Sequence, residues 1–335
     1  MPSTIGTGEQ GFAGDGGPAA DARLNLPFDL VIDAAGNLLF ADTFNHRIRK
    51  VSAVDGVITT VVGGGKKGFA GDGGPAMIAQ LDEPYGLALS PEGDLYFADR
   101  LNRRVRKVDG KTGIIKTIAG DGSAAGSGDG GPAAEAGLVE PNGVALDGKG
   151  RLFIADVGDN RIRVVALDTG LISGFAGTGK AIHAGDGGPA SLASIAGARA
   201  VAIGHDGVVY VLERQGNTLR AVDPADGLIR TIAGTGAKGY SGDGGPALAA
   251  TFNGPKELKV DGSGNVLIVD TENDAIRRYD AATRTISTVA GGLRRDKTGT
   301  LGRPHGVAAG WDGTLFIGDT ENHRILCVPS DKIAR

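Results

Sequence analysis

Six equivalent positions in this chain carry six different side chains, most of them able to do chemistry. They are Phe28, Tyr85, Asn142, Arg199, Lys256 and His305, each placed just after Pro27, Pro84, Pro141, Ala198, Pro255 or Pro304. Core packing would select similar residues at equivalent sites, so this variety points to a recognition surface; a solvated rim whose composition drifts is the alternative. An arginine beside a lysine and a histidine suits an anionic ligand. The guanidinium offers a fork of donors, and crowding brings a lysine or histidine toward neutral pH, where it works as acid or base. His305, Lys256 and Glu213 are therefore the candidate catalytic groups. Phe28, Tyr85, Asn142, Arg199, Arg214 and Asp270 are the candidate ligand contacts. Glu213 and Asp270 enter because the arginine found five residues after the equivalent acid elsewhere is Thr218 or Ala275 here.

The elements that must position these residues follow from a strict repeat. Gly-Asp-Gly-Gly-Pro-Ala starts at Gly14, Gly71, Gly128, Gly185 and Gly242, always 57 residues apart. Such a period means one supersecondary unit copied along or around an axis. The first copy divides into Phe28–Asp33, Asn37–Asp42, Arg47–Ala53 and Val57–Val62, short runs rich in Val, Ile and Leu and bounded by Gly, Asp or Asn. Four antiparallel strands are the natural reading. The first turn keeps a glycine in every copy (Gly36, Gly93, Gly150, Gly207, Gly264, Gly313), as a positive φ requires. The prediction is an all-β, six-bladed β-propeller filling residues 1–335 as one domain. Its blades cover about 28–63, 85–120, 142–177, 199–234, 256–291 and 305–328. Residues 3–8 supply the last blade's outer strand and close the ring, which removes two sheet edges.

Composition narrows the function classes. The 335 residues include 59 glycines, 41% apolar residues and a formal charge of −4. The charge balance and the scarcity of suitably placed aromatics argue against nucleic acid, and no apolar run is long enough to span a membrane. Cys327 is alone, so no disulfide framework exists and a free strand thiol is expected. The first ten residues lack the pattern of an export signal, so the protein is either exported with its leader removed or cytoplasmic. A monomer is expected.

Several repeated residues read as scaffold. The acids Asp42, Asp99, Asp156 and Asp319 precede Arg47, Arg104, Arg161 and Arg324 by five residues, which suggests ion pairs across the turn. Asp15, Asp72, Asp129, Asp186 and Asp243 lie among linker glycines and read as turn-stabilising residues, because one carboxylate per loop is too few for calcium. Pro18 and its equivalents suit the start of a short helix, followed by apolar anchors at Leu24, Leu81, Leu138, Ile195 and Phe252. The linker Thr298–Arg303 lacks the insertion and is expected to leave a gap beside His305.

The stretches Leu39-Phe40-Ala41-Asp42-Thr43-Phe44-Asn45-His46-Arg47-Ile48 and Phe316-Ile317-Gly318-Asp319-Thr320-Glu321-Asn322-His323-Arg324-Ile325 resemble the NHL repeat, and all six copies fit. The linker resembles that of bacterial NHL proteins and of teneurins. His46 and His323 fall in the family's own histidine slot. The resemblance implies a six-bladed propeller but several activities, among them peptide-amidating lyase, receptor-kinase sensor domain and RNA-binding scaffold, with lactonases in related folds. Amidating lyases hold zinc with several histidines, whereas only His305 occupies such a slot here. Lactonase-like propellers hold a divalent cation with Glu, Asn and Asp near the axis, which would make Asp29, Asn142 and Glu257 metal ligands, calcium being favoured over zinc. The expected function is a binding, sensor or interaction scaffold for a small polar or anionic molecule, glycan or peptide. The alternative is a metal-assisted hydrolase or lyase using the same axial pocket.

Overall fold

A computed structural model describes residues 1–292 and 301–333. Twenty-four strands form six four-stranded antiparallel sheets, and only short 3-10 turns accompany them among the described residues. Blade one comprises Pro27–Ile32, Leu38–Asp42, Arg47–Val51 and Ile58–Val62. Blades two to five repeat that order. Blade six takes Gly306–Ala309, Leu315–Asp319 and Arg324–Val328 from the C-terminal end and Thr4–Ile5 from the N-terminal end, with Ile5 opposite Ile325. Inner strands of successive blades touch all the way round, including blade six against blade one, so the ring is closed. The first-turn glycines all adopt the positive φ expected of them.

Alternating apolar residues of each sheet pack against the next blade, and the anchors Leu24, Leu81, Leu138, Ile195 and Phe252 are fully buried beneath the linkers. Pro18 caps rather than begins its turn, which is a three-residue 3-10 turn, Ala19–Asp21. Inner strands approach so closely that a Cβ on Gly306 would collide with the Phe28 carbonyl, which explains the small residues there.

The ion pairs of the frame are not those expected from the turn spacing. Arg47 instead donates to the carbonyls of Gly63 and Gly64, and Arg161 pairs with Asp159. Only Arg324 bonds its acid five residues back, with Nε 2.7 Å from Asp319. The structural arginine lies seven residues after the acid. Arg49 reaches Asp42 at 3.4 Å and the linker Asp15 at 2.7 Å, and it also donates to the carbonyls of Ala13 and Arg23. Arg106, Arg163, Arg220 and Arg277 likewise hold Asp72, Asp129, Asp186 and Asp243. Each is almost completely buried, so its charge must be matched locally. Blade six lacks both the Gly-Asp-Gly-Gly-Pro-Ala linker and this arginine, Leu326 standing in the slot.

A second repeated contact joins neighbouring blades. His46 Nδ1 accepts from the Glu83 N–H and His323 Nδ1 from the Leu26 N–H, both at 3.3 Å. Asn160, Asn217 and Asp274 accept equivalent N–H groups through their side-chain oxygens. All five residues take the left-handed backbone conformation. The two histidines are therefore frame residues.

Candidate functional site

The variable slot converges on the propeller axis. In blades one to four the first strand bulges at this position, which re-aims its side chain out of the regular pleat. Phe28 stacks on His305 with ring centres 4.4 Å apart and meets Tyr85 edge-on at 4.7 Å. The Arg199 guanidinium lies 4.6 Å from the Tyr85 ring centre and hydrogen-bonds its hydroxyl. Lys256 Nζ sits 3.0 Å from His305 Nε2 and 3.2 Å from Glu272 Oε1. Five of the six slot residues thus form one contact cluster across the axis, and all six are buried. They fill the channel mouth rather than lining an open rim.

Glu213 and Asp270 do not join them. Their local arginines are present after all: Arg220 lies 3.2 Å from Glu213 and Arg277 lies 3.4 Å from Asp270. Glu213 also accepts from the Ala196 N–H and Thr218 and pairs with His183, while Asp270 accepts from the Asn253 N–H and Asn273. Both are frame carboxylates. The turn spacing misled because the clamp arginine is two residues further on, one strand pleat along the same face.

Burial dominates the electrostatics of the mouth. It lowers Lys256 to about 8, against the pull of Glu272, and it holds His305 well below the ordinary histidine range, helped by Lys256 and Arg199. His305 is consequently the neutral partner, and its Nδ1 faces the Arg303 carbonyl at 2.8 Å. Charges ring the plug. Arg100 bonds Glu83 and Glu140, and Arg303 bridges Glu272 and Glu321 at 2.7 and 2.8 Å. The guanidinium of Arg214, half-buried, has no ion pair or hydrogen bond among the described residues. Arg100 was missed from sequence although a signal existed. Thr43, Thr271 and Thr320 share its slot and donate to the next blade's proline carbonyl, and only blades two and four place arginine there.

In the plug slot and beside it, three buried polar atoms lack a hydrogen-bond partner: Asn142 Oδ1, Arg199 Nε and Glu257 Oε2. They come from the inner edges of blades three, four and five. Asp29 is buried beside Glu257, but it is already saturated. Its oxygens accept from the Leu30 and Leu87 N–H groups at 2.7 Å and from Lys259 Nζ at 2.8 Å. Among the described residues no three His, Cys, Asp or Glu side chains cluster as metal ligands do. With an ammonium on Asp29, the residues Asp29, Asn142 and Glu257 do not fit a divalent cation. The expected gap beside His305 involves residues 298–300, which lie outside the described residues.

The NHL repeat family model matches residues 138–165 and 301–328. Bovine NHL repeat-containing protein 2 is 31% identical over 145 residues, covering 41% of this chain and 20% of the relative. Mouse Teneurin-3 is 29% identical over 359 residues, covering 94% of this chain and 13% of the relative. The chain therefore spans a fifth or less of either relative. Similar solved structures include an auxiliary nutrient binding protein from Bacteroides thetaiotaomicron, with a TM-score of 0.67, 16% identity and coverage of 97% of this chain and 75% of that one. Virginiamycin B lyase from Staphylococcus aureus gives 0.53 and 16%, covering 89% and 78%. The calcium-binding protein regucalcin from Agrobacterium tumefaciens gives 0.55 and 16%, covering 88% and 82%. At these identities the structures share the fold alone. Circular closure and the repeated frame contacts make the chain a six-bladed β-propeller, and the family model finds NHL repeats within it at residues 138–165 and 301–328.

Proposed function

We propose that the propeller binds a small polar or anionic molecule at the axial mouth, as a binding or sensor module. One observation carries this reading: Asn142 Oδ1, Arg199 Nε and Glu257 Oε2, on the inner strands of three consecutive blades, are buried without a hydrogen-bond partner. A buried donor or acceptor without a partner costs about 1–3 kcal/mol, which a ligand supplying the missing bonds recovers. Arg214 and Arg199 offer the cationic contact, and Tyr85 and Phe28 the stacking face. Neighbouring folds that bind nutrients are in keeping with this role.

A thermal-shift panel of small carboxylates, phosphates, sugar acids and neutral sugars tests it. At least one anionic member should raise the melting temperature by several degrees, and R214M should abolish that rise. A panel without response, or a response untouched by both R214M and R199M, refutes the reading. A second reading, lyase or hydrolase chemistry, draws on the buried Lys256–His305 pair, a proton donor and a neutral acceptor 3.0 Å apart.

A further inference from the structure

The axial channel contains its own cation. Two inner-strand slots line it below the mouth. One reads Asp29, Gly86, Gly143, Ala200, Glu257 and Gly306, the other Val31, Ala88, Ala145, Ala202, Lys259 and Ala308. Small or apolar residues occupy nearly every place, and the three charged exceptions, Asp29, Glu257 and Lys259, belong together. Lys259 starts on blade five and passes blade six to reach Asp29 of blade one, at 2.8 Å, with the Leu87 carbonyl of blade two 3.4 Å away. Asp29 is 1% exposed and Glu257 2%. One Glu257 oxygen accepts from the Leu258 N–H and the other, Oε2, has no partner.

We propose that the Lys259 ammonium occupies the position a divalent cation would take on this axis, so that the propeller is independent of bound divalent metal because its cation is covalently built in. The oxygen set around Nζ, a carboxylate and a backbone carbonyl with a second carboxylate nearby, is the hard-oxygen chemistry that calcium prefers. An ammonium differs in carrying one charge and in being unable to leave. The electrostatics of Glu257 agree: its burial and the nearby Asp29 push its carboxyl well above the ordinary carboxylate range. A divalent ion would need both carboxylates ionised and Lys259 displaced. The inference shares Glu257 with the ligand reading but rests on the Lys259–Asp29 contact, and its test needs no ligand.

Calcium chloride is the probe, followed by isothermal titration and thermal shift on the full chain. The wild type should show no saturable calcium binding that D29N removes. K259A should gain a calcium site with a dissociation constant of about 10⁻⁴–10⁻³ M, the range of weak calcium modules. At 10 mM calcium this corresponds to a rise of about 2–4 °C in melting temperature, absent from the K259A/D29N double variant. K259M deletes the charge while keeping most of the stem's packing, and it should gain the same site if K259A does not fold. Wild-type calcium binding abolished by D29N overturns the proposal. So does a folded K259A or K259M that ignores calcium.

Discussion

Replacing Arg49 by methionine isolates the contact that repeats most faithfully through the frame. The arginine's guanidinium makes five donations, two to Asp15 at 2.7 and 3.1 Å, one to Asp42 at 3.4 Å and two to backbone carbonyls at 2.9 and 3.0 Å. Methionine keeps the apolar stem but leaves the completely buried Asp42 without its cation, holding only the Asn25 N–H and Asn45 bonds, while Asp15 stays one-third exposed and retains Thr60. Breaking a buried pair from one side costs about 3–5 kcal/mol. The entropy of unfolding is about 0.7 kcal/mol/K for a chain this long, so the melting temperature should fall by about 4–7 °C. Burial already pushes Asp42 up to about 6, and losing Arg49 raises it further. A raised acid favours the protonated fold, so the deficit shrinks when Asp42 is protonated and grows as pH rises through its folded value. Calorimetry of wild type and R49M at pH 5 and pH 8 measures both effects. A loss below about 1 kcal/mol, or a larger loss at pH 5, would refute the clamp argument.

Two further outcomes concern titration. His183 stands where Phe12, Phe69 and Tyr240 cap their blades' arginines, and it instead contacts Glu213, Thr218 and Thr231, with Arg220 and Asp186 close by. The Glu213 hydrogen bond raises its pKa, so its contribution is complete below the unfolded value of about 6.5 and disappears as pH rises through the higher folded value. Partial exposure limits the effect to on the order of 1 kcal/mol; melting curves from pH 6 to 9 should show wild type losing about 1–2 °C relative to H183F, and parallel curves would contradict it. At the mouth, Lys256 loses its charge near pH 8, so affinity for any anion found in the panel should drop several-fold between pH 7 and 9. K256M should flatten that profile, and no step should appear near pH 6.5 because His305 is already neutral there.

Much of the fold was legible because a tandem repeat turns one ambiguous reading into six concordant ones. Turn glycines, strand alternation and the displaced outer strand each recur at the same offset, so ring closure through Ile5 could be counted rather than guessed. The variable slot was legible for the converse reason: Phe28, Arg199 and His305 differ exactly where symmetry predicts sameness. Partners across the chain were not legible. The acid–arginine spacing of five looked decisive, yet Asp42 turned to Arg49 because a strand's pleat, not its sequence distance, sets which side chains share a face. The same limit hid the contact between Lys259 and Asp29, 230 residues apart.

Sequence periodicity alone therefore settled the architecture, the blade count and the separation of frame residues from variable ones, since these depend on local pattern repeated. Only the closed ring decided that the variable side chains plug the mouth, that Glu213 and Asp270 serve the frame, and that a lysine lies against the axial carboxylate. Those outcomes depend on which inner strands come face to face when the circle shuts, and on what burial then does to each charge.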